Sequence, residues 1–117
     1  VLVLTLGTGI GSALFTDGHL VPNTEFGHIE IGGKVAETRA ADSAREREEL
    51  SWKKWARRLD RYLDRLVFYL SPEMIIIGGG VSRKHEKFLP LLTIDAPIEP
   101  AQLRNQAGII GAAAAAI

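Results

Sequence analysis

Two stretches of this 117-residue chain carry residue types whose spacing could do chemistry. In Thr5-Leu6-Gly7-Thr8-Gly9-Ile10-Gly11-Ser12, three glycines alternate with other residues between the apolar runs Val1-Leu2-Val3-Leu4 and Ala13-Leu14-Phe15. Glycine lets the backbone take positive φ and lets an anion approach main-chain N–H groups that a Cβ would screen. The stretch therefore reads as a phosphate cradle, and on spacing alone equally as an ordinary Gly-rich turn between strands. It does not match the dinucleotide fingerprint, whose third glycine would fall at Ser12 and whose following helix is replaced by strand-like sequence. The second stretch places Glu25 and His28 at i, i+3 beside Gly27, with Glu30 and Glu37 following. Carboxylates and an imidazole pair well with vicinal hydroxyls that both donate and accept, as a sugar's do. A site that must hydrogen-bond a hydroxyl can reject analogues lacking it by roughly 10⁴ to 10⁵. A metalloprotease-type centre needs two His at i, i+4 on a helix, and here there is one His on a Gly-punctuated, non-helical segment. Each acid taken singly also fits a solvated loop, and Glu30 fits a salt bridge equally well.

The elements that must position these groups follow from periodicity. Val1 to Leu6, Ser12 to Thr16 and His19 to Val21 are β-rich, with Asp17-Gly18 as a hairpin turn between the last two, so they predict an antiparallel meander. Glu25 to Gly33 predicts an extended loop or strand. From Glu37 a polar helix is expected to run to about Leu50; Ser43 and Glu46 have capping-box spacing but fit equally a position inside the helix. Ser51 is expected to cap a longer helix whose apolar positions Trp52, Trp55, Ala56, Leu59, Tyr62, Leu63, Leu66 and Leu70 share one face, and Pro72 to stop it. Met74-Ile75-Ile76-Ile77 predicts a central strand covered on both faces. Gly78-Gly79-Gly80 lies at its carboxyl end, where ligands of open α/β sheets collect. A short helix over Arg83 to Leu92, interrupted at Pro90, a last strand at Thr93-Ile94, and a Gly/Ala-rich helix from Leu103 or Gln106 complete the expectation.

Composition limits the possibilities further. At this length, with 46% apolar residues, the chain is expected to form one globular domain over residues 1–117. Fourteen basic residues balance fourteen acidic ones, so no global field points to nucleic acid or a membrane, and neither is an expected partner. Ten of the basic residues fall between Lys34 and Arg65 against seven acidic ones, mostly alternating in sign as on a solvated, ion-paired face; a polyanion track is the minority reading. Arg83, Lys84 and Lys87, after the Gly78 loop, are better placed to touch phosphate. The absence of cysteine excludes disulfides and thiolate metal sites and fits a reducing compartment, so a cytoplasmic location is expected. Val1 in place of Met, and a last run that reads as an unfinished helix, suggest one lobe of a longer protein.

Four ordered motifs carry a resemblance. Leu6-Gly7-Thr8-Gly9-Ile10-Gly11-Ser12-Ala13, Asn23-Thr24-Glu25-Phe26-Gly27-His28, Ile76-Ile77-Gly78-Gly79-Gly80-Val81-Ser82 and Asn105-Gln106-Ala107-Gly108-Ile109-Ile110-Gly111-Ala112-Ala113 look like the larger, C-terminal lobe of the ROK sugar kinases. Asn23 to Ile31, Ala36-Glu37-Thr38-Arg39-Ala40 and the Glu/Arg-rich stretch before Ser51-Trp52 resemble, within that family, the polyphosphate glucokinases. The resemblance implies an α/β, actin-like ATPase (ribonuclease H-like) lobe whose mixed sheet opens with the antiparallel meander and is flanked by helices. It implies that Gly7, Thr8 and Gly9 hold the phosphoryl donor, that Gly79 and Gly80 line the donor site, and that Glu25, His28 and Glu37 bind sugar. Glucose, with mannose as a further candidate, polyphosphate or ATP, Mg²⁺ with the donor, the N-terminal lobe and a second copy in a homodimer are the implied partners. The zinc-binding cysteine cluster common in the family is absent between His28 and Glu37, so no zinc is expected. The family's catalytic aspartate and first phosphate loop belong to the smaller lobe, so no catalytic residue is assigned here, and the 117-residue fragment alone is expected to be inactive. The alternative is a ROK-type sugar-sensing repressor, which binds sugar without phosphorylating it.

Overall fold

The two most continuous apolar runs become the middle of one sheet. In the computed structural model, which describes residues 1–101, β1 (Leu2–Leu6), β2 (Ile10–Thr16) and β3 (His19–Val21) form the antiparallel meander. β6 (Ile75–Gly78) runs parallel to β1 with Leu2 opposite Ile75 and Thr5 opposite Gly78, and β7 (Ile98–Pro100) runs parallel to β6. The strand order is β3-β2-β1-β6-β7. At the β2–β3 turn Asp17 and Gly18 both have positive φ, 52° and 78°, as a two-residue hairpin turn matching strand twist requires.

Successive side chains of a strand face opposite sides, and the core divides accordingly. Leu2, Leu4, Leu6, Ile75 and Ile77 pack on one face against α3 (Trp52–Leu70), which contributes Trp55, Leu59, Tyr62, Leu63 and Leu66. Val3, Ala13, Phe15 and Ile76 form a smaller cluster on the other face. Burying one such large apolar side chain contributes about 1.5–3 kcal/mol, so this seam of α3 is what seats the helix. Ser51 caps it, its side chain accepting from the Lys54 N–H, and the helix ends with Ser71 in the left-handed region (φ 44°) ahead of Pro72.

Several expectations from periodicity are corrected. The single polar helix from Glu37 is two helices, α1 (Glu37–Ala40) and α2 (Asp42–Arg47), broken at Ala41 (φ −67°, ψ 159°). The buried indole of Trp55 explains the break: its Nε1 donates to the carbonyls of both Ala40 (3.0 Å) and Ala41 (3.2 Å). Ser43 and Glu46 both lie inside α2, whose N-cap is Ala41 and has no side-chain capping bond. Glu25 to Gly33 is not uniformly extended but forms a 3₁₀ turn (Phe26–His28) followed by β4 (Glu30–Ile31), which pairs with β5 (Lys34–Val35). Thr93-Ile94 is not a strand, because Asp60 on α3 accepts from both the Thr93 N–H and its hydroxyl; the edge strand forms at β7 instead. Arg83 to Leu92 holds two 3₁₀ segments, Gly80–Lys87 and Leu89–Leu91, with non-helical backbone at Lys84. The expected helix from Leu103 or Gln106 lies outside the described residues. Among those described, no helix is long and apolar enough to cross a membrane.

Alternating charges on α2 and α3 pair as a solvated face should. Arg58 donates two hydrogen bonds to Glu48, at 2.7 and 2.9 Å. The Arg58 hydrogen bond holds the Glu48 carboxyl at about 2, against an ordinary 4.5. A folded-state pKa below the unfolded one stabilises the fold above the unfolded value, and that contribution is lost as pH falls through the folded one. The thermal-stability gap between wild type and Glu48→Gln is therefore expected to be small at pH 7, as for surface pairs generally. It should close as the pH is lowered from 4.5 to 2, which thermal melts across that range measure.

Candidate functional site

The glycine loop is a three-residue connection, Gly7 to Gly9, between Leu6 of β1 and its partner Ile10 of β2. Its shape is set from 35 residues away. Ser43 on α2 donates its N–H to the Gly7 carbonyl (2.9 Å) and its hydroxyl to the Thr8 carbonyl (2.7 Å). In a planar trans peptide the N–H points opposite the preceding C=O, so fixing these two carbonyls on α2 turns the Thr8 and Gly9 N–H groups the other way. Neither N–H has a hydrogen-bond partner among the described residues, and two such donors side by side make a concavity suited to an anion. The reading of these glycines as positive-φ positions is corrected: none of Gly7, Gly9 or Gly11 has positive φ. Space matters at Gly9, where a Cβ would collide with the Glu37 carboxylate. Conformation matters at Gly79, whose φ is 89° and whose Cβ would stand 2.5 Å from the Leu6 carbonyl oxygen.

Glu37 opens α1 and is half-buried; its Oε2 lies 3.2 Å from Nε2 of His28, whose side chain is 63% exposed. The imidazole comes from the 3₁₀ turn, which the Ser12 hydroxyl ties to β2 by accepting from the Phe26 N–H (3.1 Å). Gly27 is required for this approach, since a Cβ there would meet the Ile10 carbonyl oxygen at 2.5 Å. Glu25 stands exposed at the head of the turn, and its side chain makes no capping bond.

Gly7, Thr8, Gly9, Glu25, His28, Glu37 and Gly79 all line one open cleft of about 330 Å³, within the range of roughly 300–1,000 Å³ usual for small-molecule sites. Amide donors, two carboxylates and an imidazole lining one cleft, with the Glu37 carboxylate against Gly9, suit a phosphate group and a polyol side by side. Gly80, expected in the donor site, does not line the cleft; it is exposed at the start of the 3₁₀ segment. Arg83, Lys84 and Lys87 are exposed on that segment and do not line it either. Glu30 is exposed on β4, away from the cleft. Among the described residues no group of three or more His, Asp or Glu could hold a metal ion.

Ser43 is the positioning residue that sequence reading missed, having been noted only for its capping-box spacing to Glu46. Removing a neutral hydrogen bond costs about 0.5–1.5 kcal/mol, so Ser43→Ala is expected to raise the KM for a phosphate-bearing substrate by about 2- to 12-fold and leave that for the cleft's other substrate near wild type. Steady-state kinetics with each substrate varied in turn checks this.

No family model matches the chain. It is 50% identical over all 117 residues to a polyphosphate glucokinase of Mycobacterium tuberculosis and spans 44% of that relative's length. Among solved structures, an inorganic polyphosphate/ATP-glucomannokinase from Arthrobacter sp. strain KM superposes with a TM-score of 0.87 at 54% identity, covering 97% of this chain and 45% of that one. A ROK hexokinase from Thermus thermophilus shares the fold, with a TM-score of 0.71 at 24% identity over 98% of this chain and 56% of that one. The chain thus spans less than half the length of the first two of these relatives.

Proposed function

We propose that the chain, similar over its whole length to polyphosphate glucokinases and to an inorganic polyphosphate/ATP-glucomannokinase, is the C-terminal lobe of a ROK-family sugar kinase with an actin-like ATPase fold that phosphorylates the 6-hydroxyl of glucose. Inorganic polyphosphate or ATP is the donor, and mannose is a second candidate acceptor. One observation carries this reading: Thr8 and Gly9, whose amides have no partner among the described residues, line a single cleft with Glu25, His28 and Glu37. In it, Gly7, Thr8, Gly9 and Gly79 cradle the terminal phosphates, while Glu25, His28 and Glu37 take the sugar hydroxyls. The His28–Glu37 contact fixes both side chains before substrate arrives, so little orientation is left to be imposed on binding.

Phosphoryl transfer depends mainly on positioning and on neutralising charge at the phosphates. Mg²⁺ bound with the donor supplies part of that neutralisation. It is commonly held by substrate phosphates and only one or two carboxylates, which accords with the lack of a metal cage among the described residues. What this chain contributes is orientation of acceptor and donor; the general base, whose loss typically costs about 10² to 10⁴ in rate, is assigned to the other lobe. A sugar-sensing repressor is not favoured, because the polyphosphate glucokinase relative and the glucomannokinase structure carry kinase names. A cytoplasmic homodimer completes the proposal, for which Phe68 and Tyr69, 74% and 65% exposed near the end of α3, offer an aromatic contact.

The test is a coupled assay for glucose 6-phosphate with the intact protein, glucose and each donor in turn. Product with polyphosphate, ATP or both is expected, and none from the isolated 117-residue chain. Absence of product from the intact protein with both donors would overturn the reading.

A further inference from the structure

Glu37 reaches the cleft from α1, a helix of four residues, far below the roughly 12–15 residues at which an isolated helix begins to hold itself in water. Its carboxyl end is held from outside instead. Four successive carbonyls each accept a side-chain N–H from α2 or α3: Thr38 from Arg47 Nη2 (2.9 Å), Arg39 from Arg58 Nη1 (3.3 Å), and Ala40 and Ala41 from Trp55 Nε1 (3.0 and 3.2 Å). One acid joins the two guanidinium groups. Arg58 donates to both oxygens of Glu48, at 2.7 and 2.9 Å, and Arg47 Nη2 stands 3.8 Å from the same carboxylate. A bidentate pair of this kind fixes direction as well as distance, so the Arg58 fork, locked on Glu48, presents Nη1 to the Arg39 carbonyl in one orientation. A lysine ammonium has no such fork.

The opposite end of α1 has little freedom to absorb a shift. The Glu37 carboxylate lies where a Cβ on Gly9 would stand, and its Oε2 is 3.2 Å from His28 Nε2. We propose that Arg58 is a positioning residue for sugar recognition: locked by Glu48, it holds the carboxyl end of α1 and thereby sets where Glu37 meets His28 in the cleft. Neither Arg58 nor Glu48 lines that cleft, so their effect on a ligand there passes through α1. The kinetic consequence rests on the reading of Glu37 as a sugar-binding group, whereas the placement of Glu37 against His28 is testable without any substrate.

The test labels histidine with ¹⁵N in the intact protein and follows the His28 ring signals, assigned by their loss in His28→Asn. Arg58→Gln is expected to shift them and to leave those of His19 and His85 in place, which reports an intact fold. Arg45→Gln is the comparison. Its guanidinium is as exposed as that of Arg58, 19% in each, and pairs with Asp42 but bonds no α1 carbonyl among the described residues, so the His28 signals should not move. In steady-state kinetics Arg58→Gln should raise the KM for glucose by about 2- to 12-fold, the range for one lost hydrogen bond, and leave kcat and the donor KM near wild type. A mere loss of folded protein would lower kcat and leave KM unchanged. Arg58→Lys, which keeps the charge without the fork, should fall between the two. Glu48→Gln, whose cost in stability at pH 7 is small, leaves Arg58 present but unlocked and should shift the His28 signals by less. No His28 shift in Arg58→Gln, or an equal one in Arg45→Gln, overturns the proposal, and so does a wild-type glucose KM in Arg58→Gln where Glu37→Ala raises it. A wild-type glucose KM in Glu37→Ala itself overturns the sugar role of Glu37 instead, and the His28 shift then decides the positioning claim alone.

Discussion

Replacing Glu37 by Ala in the intact protein is expected to lower kcat/KM for glucose by about 10- to 150-fold. Hydrogen bonds to a charged group are worth about 1.5–3 kcal/mol, and each 1.4 kcal/mol is tenfold. Glu37 is placed to make such bonds, since it lines the cleft beside His28, which it meets at 3.2 Å, and lies against the backbone of Gly9. Under the proposed function, removing it deletes one sugar-binding carboxylate and takes away the His28 contact, so sugar recognition should suffer twice. The KM for the donor should move little, because the Thr8 and Gly9 amides are held by Ser43 and not by Glu37. Glu37→Gln, which keeps the shape and loses the charge, should fall between the two. A change of less than twofold in the alanine variant would remove Glu37 from the sugar site.

The second large effect is on stability. Trp55→Ala is expected to destabilise the fold by about 3–5 kcal/mol, the usual loss for a buried tryptophan. Trp55 is fully buried, packs edge-on against Phe88 at 4.9 Å between ring centroids, and supplies the N–H that satisfies the Ala40 and Ala41 carbonyls. Those carbonyls sit at the α1–α2 break, so the loss reaches the element that carries Glu37. Trp52→Ala is the comparison. Trp52 is only partly buried, between Phe88 and the Arg45 guanidinium, and its truncation should cost less. Thermal melts of both variants decide this, and a Trp55→Ala melt as high as that of Trp52→Ala would contradict it.

What the sequence disclosed, and what it concealed, divides by the range of the interactions involved. α3 was legible because its apolar positions repeat at helical spacing over five turns and Ser51 stands at its head. The meander and β6 were legible because β-branched runs, Asp17-Gly18 and the glycine clusters are local signals. The role of Ser43 was not, since its bonds span 35 residues and its spacing to Glu46 imitates a cap. Likewise Asp60 captures Thr93 from 33 residues away, which moves the edge strand to β7. The break at Ala41 depends on an indole 14 residues downstream. Among the candidate site residues, Glu25, His28 and Glu37 were singled out as hydrogen-bonding types on one Gly-rich stretch and share a cleft lining with Gly7, Thr8, Gly9 and Gly79, whereas Gly80 does not line it, because a run of three glycines does not show which of them turns toward the cleft.

The central claim, that of the proposed function, is that Glu25, His28 and Glu37 receive the sugar in the same cleft in which the Thr8 and Gly9 amides receive the phosphate. Its most direct test is a crystal structure of the intact protein with glucose bound. The account predicts sugar hydroxyls within hydrogen-bond distance of Glu25, His28 and Glu37, with the sugar's 6-hydroxyl turned toward Thr8 and Gly9. Glucose bound elsewhere, with that cleft left to solvent, would contradict it.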